Sequence, residues 1–337
     1  MRKSIIKLSF LLVAIISLIS CEEEDNNQPP KIEDQTFLID ENSSQGTIVG
    51  QVIATDSDGN VLTYEIMSGN INEAFAISSE DGIITVQNEN EIDYEKKSFF
   101  TLLIEVNDKE NESNTATITI NINNQEISKN GIILYLPFNG NAEDETNNNF
   151  DGVVYGATLT LDRNNNENSA YYFDGIDDYI EIGDKDQLSF PGNNNFTISL
   201  WAEVNSFDRN QFIVSKFYSS GDNKEYSINY TSSLNSYVFG INDGGSSIDY
   251  LSSNYTQGWH HIVGMKDNDK IYLYIDNVLV SEKTYTTYQL SSFAKFMIGA
   301  VDMSSTSPDG FFHGNIDDIV IYNRLLTNDE IKVLFKE

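Results

Sequence analysis

Residues 258–280 read GWHHIVGMKDNDKIYLYIDNVLV. The runs HHIVGM and KIYLYIDNVLV are rich in β-branched and aromatic residues and are separated by an Asp/Asn cluster. They are too short for helices and lack helical spacing, so they read as strands joined by tight turns. The same texture continues in both directions: GTIVGQVIAT (46–55), GIITVQ (82–87), FFTLLIEV (99–106), TATITINI (115–122), YIEIG (179–183) and FTISLWAEV (196–204). Between them lie polar loops such as TNNNF, DRNNNEN and PGNNNF. Short strands at regular spacing between turn signals predict an all-β protein of sandwich type. One helix is expected at the end of the chain, where Thr327 and Glu330 form a capping box ahead of IKVLF.

The chain has 337 residues and a formal net charge of −32, long enough for two domains with real cores. So negative a surface repels nucleic acid and favours cations, calcium above all. Nucleic-acid binding is thereby excluded.

The N-terminus, MRKSIIKLSFLLVAIISLISC, has a positive start (Arg2, Lys3, Lys7) and an apolar run too short for a stable membrane span. It reads as an export signal over residues 1–20. LISC resembles a bacterial lipobox, which implies lipidation of Cys21. That is the chain's only cysteine, so no intramolecular disulfide is possible. EEED at 22–25 resembles the acidic signal that sends some lipoproteins to the cell surface; a solvated spacer is the other reading. The expectation is an outer-membrane lipoprotein, exposed on the cell surface and held to the membrane by its N-terminal lipid. Residues 21–30 form an acidic, Pro-containing tether that cannot bury a core. Two strand-rich domains follow, at 31–123 and 131–337, with a polar linker at 124–130.

Across the first domain the landmarks come in a telling order: PP at 29–30, FLIDEN at 37–42, GTIVGQVIATDSD at 46–58, YEI at 64–66, FAIS at 75–78, DGIITV at 81–86, IDYE at 92–95, FFTLLIEVND at 99–108 and TATITINI at 115–122. In this order they resemble a cadherin repeat, which implies a seven-stranded Greek-key sandwich. The resemblance also implies calcium ligands in two half-sites at opposite ends of the sandwich. Glu41, Asp93 and Glu95 match one set; Asp56, Asp58 and Asp108 match the other. Carboxylates from separate loops suit calcium, which takes six to eight hard oxygens. The following linker, INNQE, has asparagines where the family has aspartates, and no second repeat follows. Calcium binding is therefore expected to be weak, in the range of about 10⁻⁴–10⁻³ M. The alternative is that these are solvated acids at ordinary turns.

The second domain carries ILYLPFNGNAEDETNNNFDG, AYYFDGIDDYIEIG, FTISLWAEV, the stretch quoted first, and GNIDDIVIYNRLLTNDEI. These resemble the laminin-G-like family, related to concanavalin A lectins and pentraxins. The resemblance implies a concanavalin A-like antiparallel jelly-roll sandwich whose first and last strands lie together. It also points to a metal near that junction, with Asn139, Asp144 and Asp317 as candidates. Asp317 shares strand parity with Ile319 and Ile321, so alternation turns it inward, where a bare carboxylate needs a metal or a hydrogen-bonding partner. Trp201 and Trp259 invite a sugar-stacking reading, but both sit at strand positions that in the family usually pack the core, and they read as core residues. His260 and His261 are neighbours on one strand and face opposite ways. Tyr218, Tyr226, Tyr230, Asn242 and Tyr250 are candidates to line a glycan groove.

No nucleophile elbow, phosphate loop or zinc-protease motif is present. EIDYE at 91–95 has the alternating acids of some glycosidases, but it falls in the first domain, between two strands, so the chain reads as a non-enzyme. The expected function is a surface binding or adhesion protein assisted by calcium, whose jelly roll binds a glycan or a cell-surface partner. The alternative is a structural spacer with protein–protein contacts and no sugar site.

Overall fold

The computed structural model describes residues 27–94, 96–110, 113–218, 224–242, 248–254, 256–285, 292–303 and 307–337. The chain divides into two compact units between Asn124 and Gln125.

In the first unit, a four-stranded sheet runs Gln35–Asp40, Ser113–Asn123, Phe99–Asn107, Thr63–Ser68. A three-stranded sheet runs Ile48–Gln51, Ile83–Val86, Phe75–Ile77. A short ladder joins Lys31–Ile32 to Ala54–Thr55. Strict alternation builds the core between the two main sheets. In Phe99–Asn107, Phe100, Leu102, Ile104 and Val106 are at most 1% exposed, and the neighbouring strand of the same sheet contributes Ala116, Ile118, Ile120 and Ile122. Gln35–Asp40 pairs in parallel with Ser113–Asn123, while the other pairs in these two sheets are antiparallel.

The second unit is a sandwich of an eight-stranded and a seven-stranded antiparallel sheet. The eight-stranded order is Thr158–Thr160, Ala170–Asp174, His313–Tyr322, Phe196–Val204, Trp259–Lys266, Lys270–Ile275, Val278–Thr284, with Ile132–Leu136 also paired to His313–Tyr322. The first and last strands of the domain thus lie together, as the resemblance implied. The inner faces of the two sheets enclose the main core. The helix Asn328–Lys336 starts at the expected capping box. It lays Ile331 and Leu334 over Val263, Met265, Val320 and Tyr322 on the outer face of the eight-stranded sheet. Among the described residues, no helix is long and apolar enough to cross a membrane. The export signal and Cys21 lie outside the described residues. The architecture is all-β, two sandwiches in series.

One irregularity changes a sequence expectation. Ser199 pairs with Val320 and Trp201 with Asp317, so His313–Tyr322 carries one extra residue at that point. Asp318, with φ +46°, falls within the bulge. A bulge shifts side-chain parity by one. Ile316, Ile319 and Ile321 all face the main core, while Asp317 is turned to the outer face instead of inward.

Candidate functional site

Two groups of acids sit at opposite ends of the first sandwich. The first gathers around the bend that follows Ala54–Thr55 and the end of Phe99–Asn107. Asp56 Oδ1 accepts from the backbone N–H groups of Asp58 (2.9 Å) and Asn60 (3.1 Å), an Asx-type turn that fixes the loop. Asp108 is 2% exposed, and its Oδ1 accepts from Glu110 N at 2.8 Å. The end of the tether docks here. Asn27 Nδ2 donates to Asp108 Oδ2 at 2.6 Å, Asn60 Nδ2 donates to Asn27 Oδ1 at 2.7 Å, and Gln28 N donates to Asp58 Oδ2 at 2.7 Å.

Within this group Asp56 Oδ2 is buried and has no hydrogen-bond partner. A buried carboxylate oxygen without a donor costs about 1–3 kcal/mol or more, and a hard cation removes that cost. Every side-chain donor atom of Asp56, Asp58 and Asp108 is oxygen, the chemistry calcium prefers. The residues present therefore fit a calcium ion. The sequence reading missed Asn27, Gln28 and Asn60. The signal is an amide-rich stretch immediately before the paired prolines, which by composition reads as a tether.

At the opposite end, Glu41 is buried, and its Oε2 accepts from Tyr94 N at 3.1 Å. Asp93 Oδ1 accepts from Lys96 N at 2.9 Å, and its Oδ2 pairs with Lys96 Nζ at 2.7 Å. An ammonium is already seated at this end, which weakens its claim on a divalent ion. Glu95 lies outside the described residues. Glu89–Glu91 is a short 3-10 helix, and Ile92 to Tyr94 form no strand. Glu91 and Asp93 therefore do not line one face of a strand.

In the second sandwich two of the three metal candidates have other partners. Asn139 is exposed. Asp144 spends both oxygens on its own loop: Oδ1 accepts from Tyr135 N and Thr146 N, and Oδ2 from Thr146 Oγ1 and Phe150 N. Asp317, 2% exposed, is met by Arg163 Nη1 at 2.8 Å; the same nitrogen lies 2.8 Å from Asp318 Oδ2. The partner that burial demands is thus a guanidinium. Burial and the neighbouring Asp318 nevertheless push the Asp317 carboxyl well above the usual carboxylate range, outweighing Arg163.

A separate acidic trio, Asp174, Asp177 and Asp178, has ligand atoms within 4.8 Å of one another. Its own turn explains the close approach, since Asp178 Oδ2 accepts from Asp174 N and Asp174 Oδ1 from Ile176 N. Deeper in the fold, the fully buried Lys216 reaches Asp184 Oδ1 (2.8 Å) and Ala294 O (2.7 Å) and pins a loop.

The aromatic and histidine expectations divide. Trp201 is buried, but on the outer face of the eight-stranded sheet, stacked on Phe335 at 5.6 Å and covered by Arg163 at 4.5 Å. Trp259 is partly exposed, not core. His260 Nδ1 lies 2.7 Å from Asp276 Oδ2, while the His261 ring packs against Trp201 and Phe335, so the two rings do face opposite ways. Tyr226 and Tyr230 are buried in the main core and cannot line a groove. Tyr250 is 49% exposed, and Tyr218 is partly exposed. The Asn242 side chain lies outside what is described.

Comparison with known proteins follows the same division. Residues 35–123 match the family model of the cadherin domain. Residues 173–332 match that of the concanavalin A-like lectin/glucanases superfamily. The chain is 30% identical over 201 residues to Cadherin-87A of Drosophila melanogaster, covering 56% of this chain and 10% of that protein. It is 37% identical over 98 residues to the fat-like cadherin-related tumor suppressor homolog of the same organism, covering 28% of this chain and 2% of that protein. The chain thus spans a tenth or less of the length of these curated relatives. Among solved structures, the binding domain of Paraclostridial Mosquitocidal Protein 1 superposes with a TM-score of 0.51 at 18% identity, covering 61% of this chain and 52% of that one. At that identity the likeness is one of fold.

Proposed function

We propose that this chain, a cadherin domain followed by a concanavalin A-like domain, is a membrane-anchored surface protein for binding or adhesion. In this reading the lipid on Cys21 holds the protein to the outer membrane. The first domain lifts the second away from the bilayer, and the second engages a glycan or a surface partner. Two domains of binding type in one chain support the coarse role.

The observation that carries the calcium part is the buried, unpartnered Asp56 Oδ2 at the pole where Asn27 and Gln28 dock. Asp56, Asp58 and Asp108 are the residues to hold the ion. When bound, calcium supplies a positive charge that offsets the repulsion among these carboxylates. Asn27 meanwhile clamps the tether by donating to Asp108 and accepting from Asn60. Calcium then stiffens the joint between tether and domain. Few anionic ligands are present, so occupancy is expected at roughly 10⁻⁴–10⁻³ M.

The protein acts in this reading by binding, without catalysis. Glu91 sits in a 3-10 turn and not in the strand that a glycosidase pair needs. A serine–histidine contact, Ser199 Oγ to His261 Nε2 at 2.7 Å, is sealed from substrate, the two residues being 1% and 0% exposed.

Calorimetric titration of the full chain with calcium tests the proposal. Heat that saturates at millimolar calcium, and that Asp56→Asn removes, supports it. A flat titration of the wild type sinks the calcium part. The competing reading, a spacer with protein contacts alone, wins if no glycan is retained under any calcium condition.

A further inference from the structure

The helix covers only part of the outer face of the eight-stranded sheet. Beyond Trp201, one row of side chains crosses four adjacent strands. Tyr172 lies opposite Asn315, Asn315 opposite Glu203, and Glu203 opposite Trp259. Residues directly opposite one another share a face. His261, two positions from Trp259, packs against Phe335 of the helix, so this is the outer face. All four residues of the row are partly exposed. Three interstrand spacings make the row about 14 Å long, the span of a short oligosaccharide.

The row is chemically graded. Trp259 offers a flat ring at one end. In the middle, Glu203 Oε2 accepts from Asn315 Nδ2 at 2.9 Å, while Asn315 Oδ1 is buried and meets no donor among the described residues. At the far end the Tyr172 hydroxyl lies 3.2 Å from His313 Nε2. An aromatic ring matches the apolar C–H face of a pyranose. Hydroxyls, which both donate and accept, match a carboxylate, an amide with a second N–H to donate and a phenol. Charge sets the class: the row holds a carboxylate and no lysine or arginine, on a chain of net charge −32, so uronates and sulfated sugars are repelled.

We propose that the row Tyr172–Asn315–Glu203–Trp259 binds a neutral oligosaccharide, with a pyranose stacked on Trp259 and its hydroxyls bonded to Glu203, Asn315 and Tyr172. The inference rests on the reading that the second domain binds a ligand, and it deepens that reading by naming the ligand class and the sheet face.

The test titrates the full chain with neutral tetrasaccharides of gluco, manno and galacto configuration, and with an oligogalacturonate. The variants are Trp259→Ala, Trp259→Phe and Asn315→Ala, with Tyr155→Ala on the other sheet as control. A neutral sugar should bind the wild type. Trp259→Ala should weaken it at least tenfold and Asn315→Ala severalfold, Trp259→Phe should retain most of it, and Tyr155→Ala should leave it unchanged. If Trp259→Ala does not fold, Asn315→Ala carries the decision. Neutral-sugar binding that survives the row variants overturns the site while leaving the ligand-binding reading intact. Binding of the oligogalacturonate alone overturns the neutral class. No sugar retained by the wild type overturns the proposal and counts against the glycan reading of the domain.

Discussion

The Arg163 guanidinium lies 4.5 Å over the Trp201 ring while its Nη1 reaches 2.8 Å to Asp317, the residue opposite Trp201 on the neighbouring strand. One cation thus answers a buried carboxylate and covers an indole. Removing it strands Asp317 and Asp318 together. Arg163→Met should cost about 3–5 kcal/mol, the usual penalty for breaking a buried pair, read as a fall in the denaturant midpoint. A loss under 1 kcal/mol would show that the pair contributes little.

Burial raises the Asp317 carboxyl above its unfolded value, so the folded state holds a proton that the unfolded state has released. The associated stability is present at low pH and is lost as pH rises from about 4 through the raised value. The melting temperature of the wild type should fall over that window, and Asp317→Asn should flatten the slope. An unchanged slope in the variant would assign it to other groups.

The capping box titrates with the opposite sign. Arg324 and the Thr327 backbone lower the Glu330 carboxyl to about 2. Its contribution is present above about pH 4.3 and lost as pH falls toward 2. Thr327→Ala should cost about 0.5–2 kcal/mol, and Glu330→Gln should remove part of the acid limb of the stability curve. An acid limb identical to wild type in Glu330→Gln would rule that contribution out.

At the tether pole, chelation should lower the melting temperature of the first domain and millimolar calcium should restore it. Asp56→Asn should abolish the response, whereas Asp93→Asn, already paired with Lys96, should change it little. Equal loss in both variants would spread the site over both ends of the sandwich.

Incubation with polysaccharides should release no reducing sugar, and Glu91→Gln should behave as the wild type does. Release by the wild type that the variant lacks would make this chain a hydrolase.

The sandwiches were legible because strand alternation is local. In Phe99–Asn107 every second residue is buried, as its pattern of β-branched and aromatic residues indicates. The orientation of Asp317 was not legible, because a single extra residue at Asp318 reverses parity and leaves no compositional trace. The acids at 56, 58 and 108 were legible through the resemblance to a cadherin repeat. Asn27, 81 positions from Asp108, was not, since a long-range hydrogen bond has no signature in an amide-rich tether. Trp259 was assigned to the core because large aromatics usually are; only strand register revealed it in an open row. The acids of EIDYE matched a familiar pattern, but the pattern presupposes a strand, and Glu89–Glu91 forms a 3-10 turn.

The parallel pairing of Gln35–Asp40 with Ser113–Asn123 has a mechanical side. The chain enters the first sandwich at the Gln35 end of this ladder and leaves it at the Asn123 end. Tension between the tether and the second domain therefore slides the two strands along each other. The six residue pairs of the ladder share that load at once, where a hairpin pulled from its open end would unzip pair by pair. A sandwich built this way resists a pull along its length far better than one held by a hairpin.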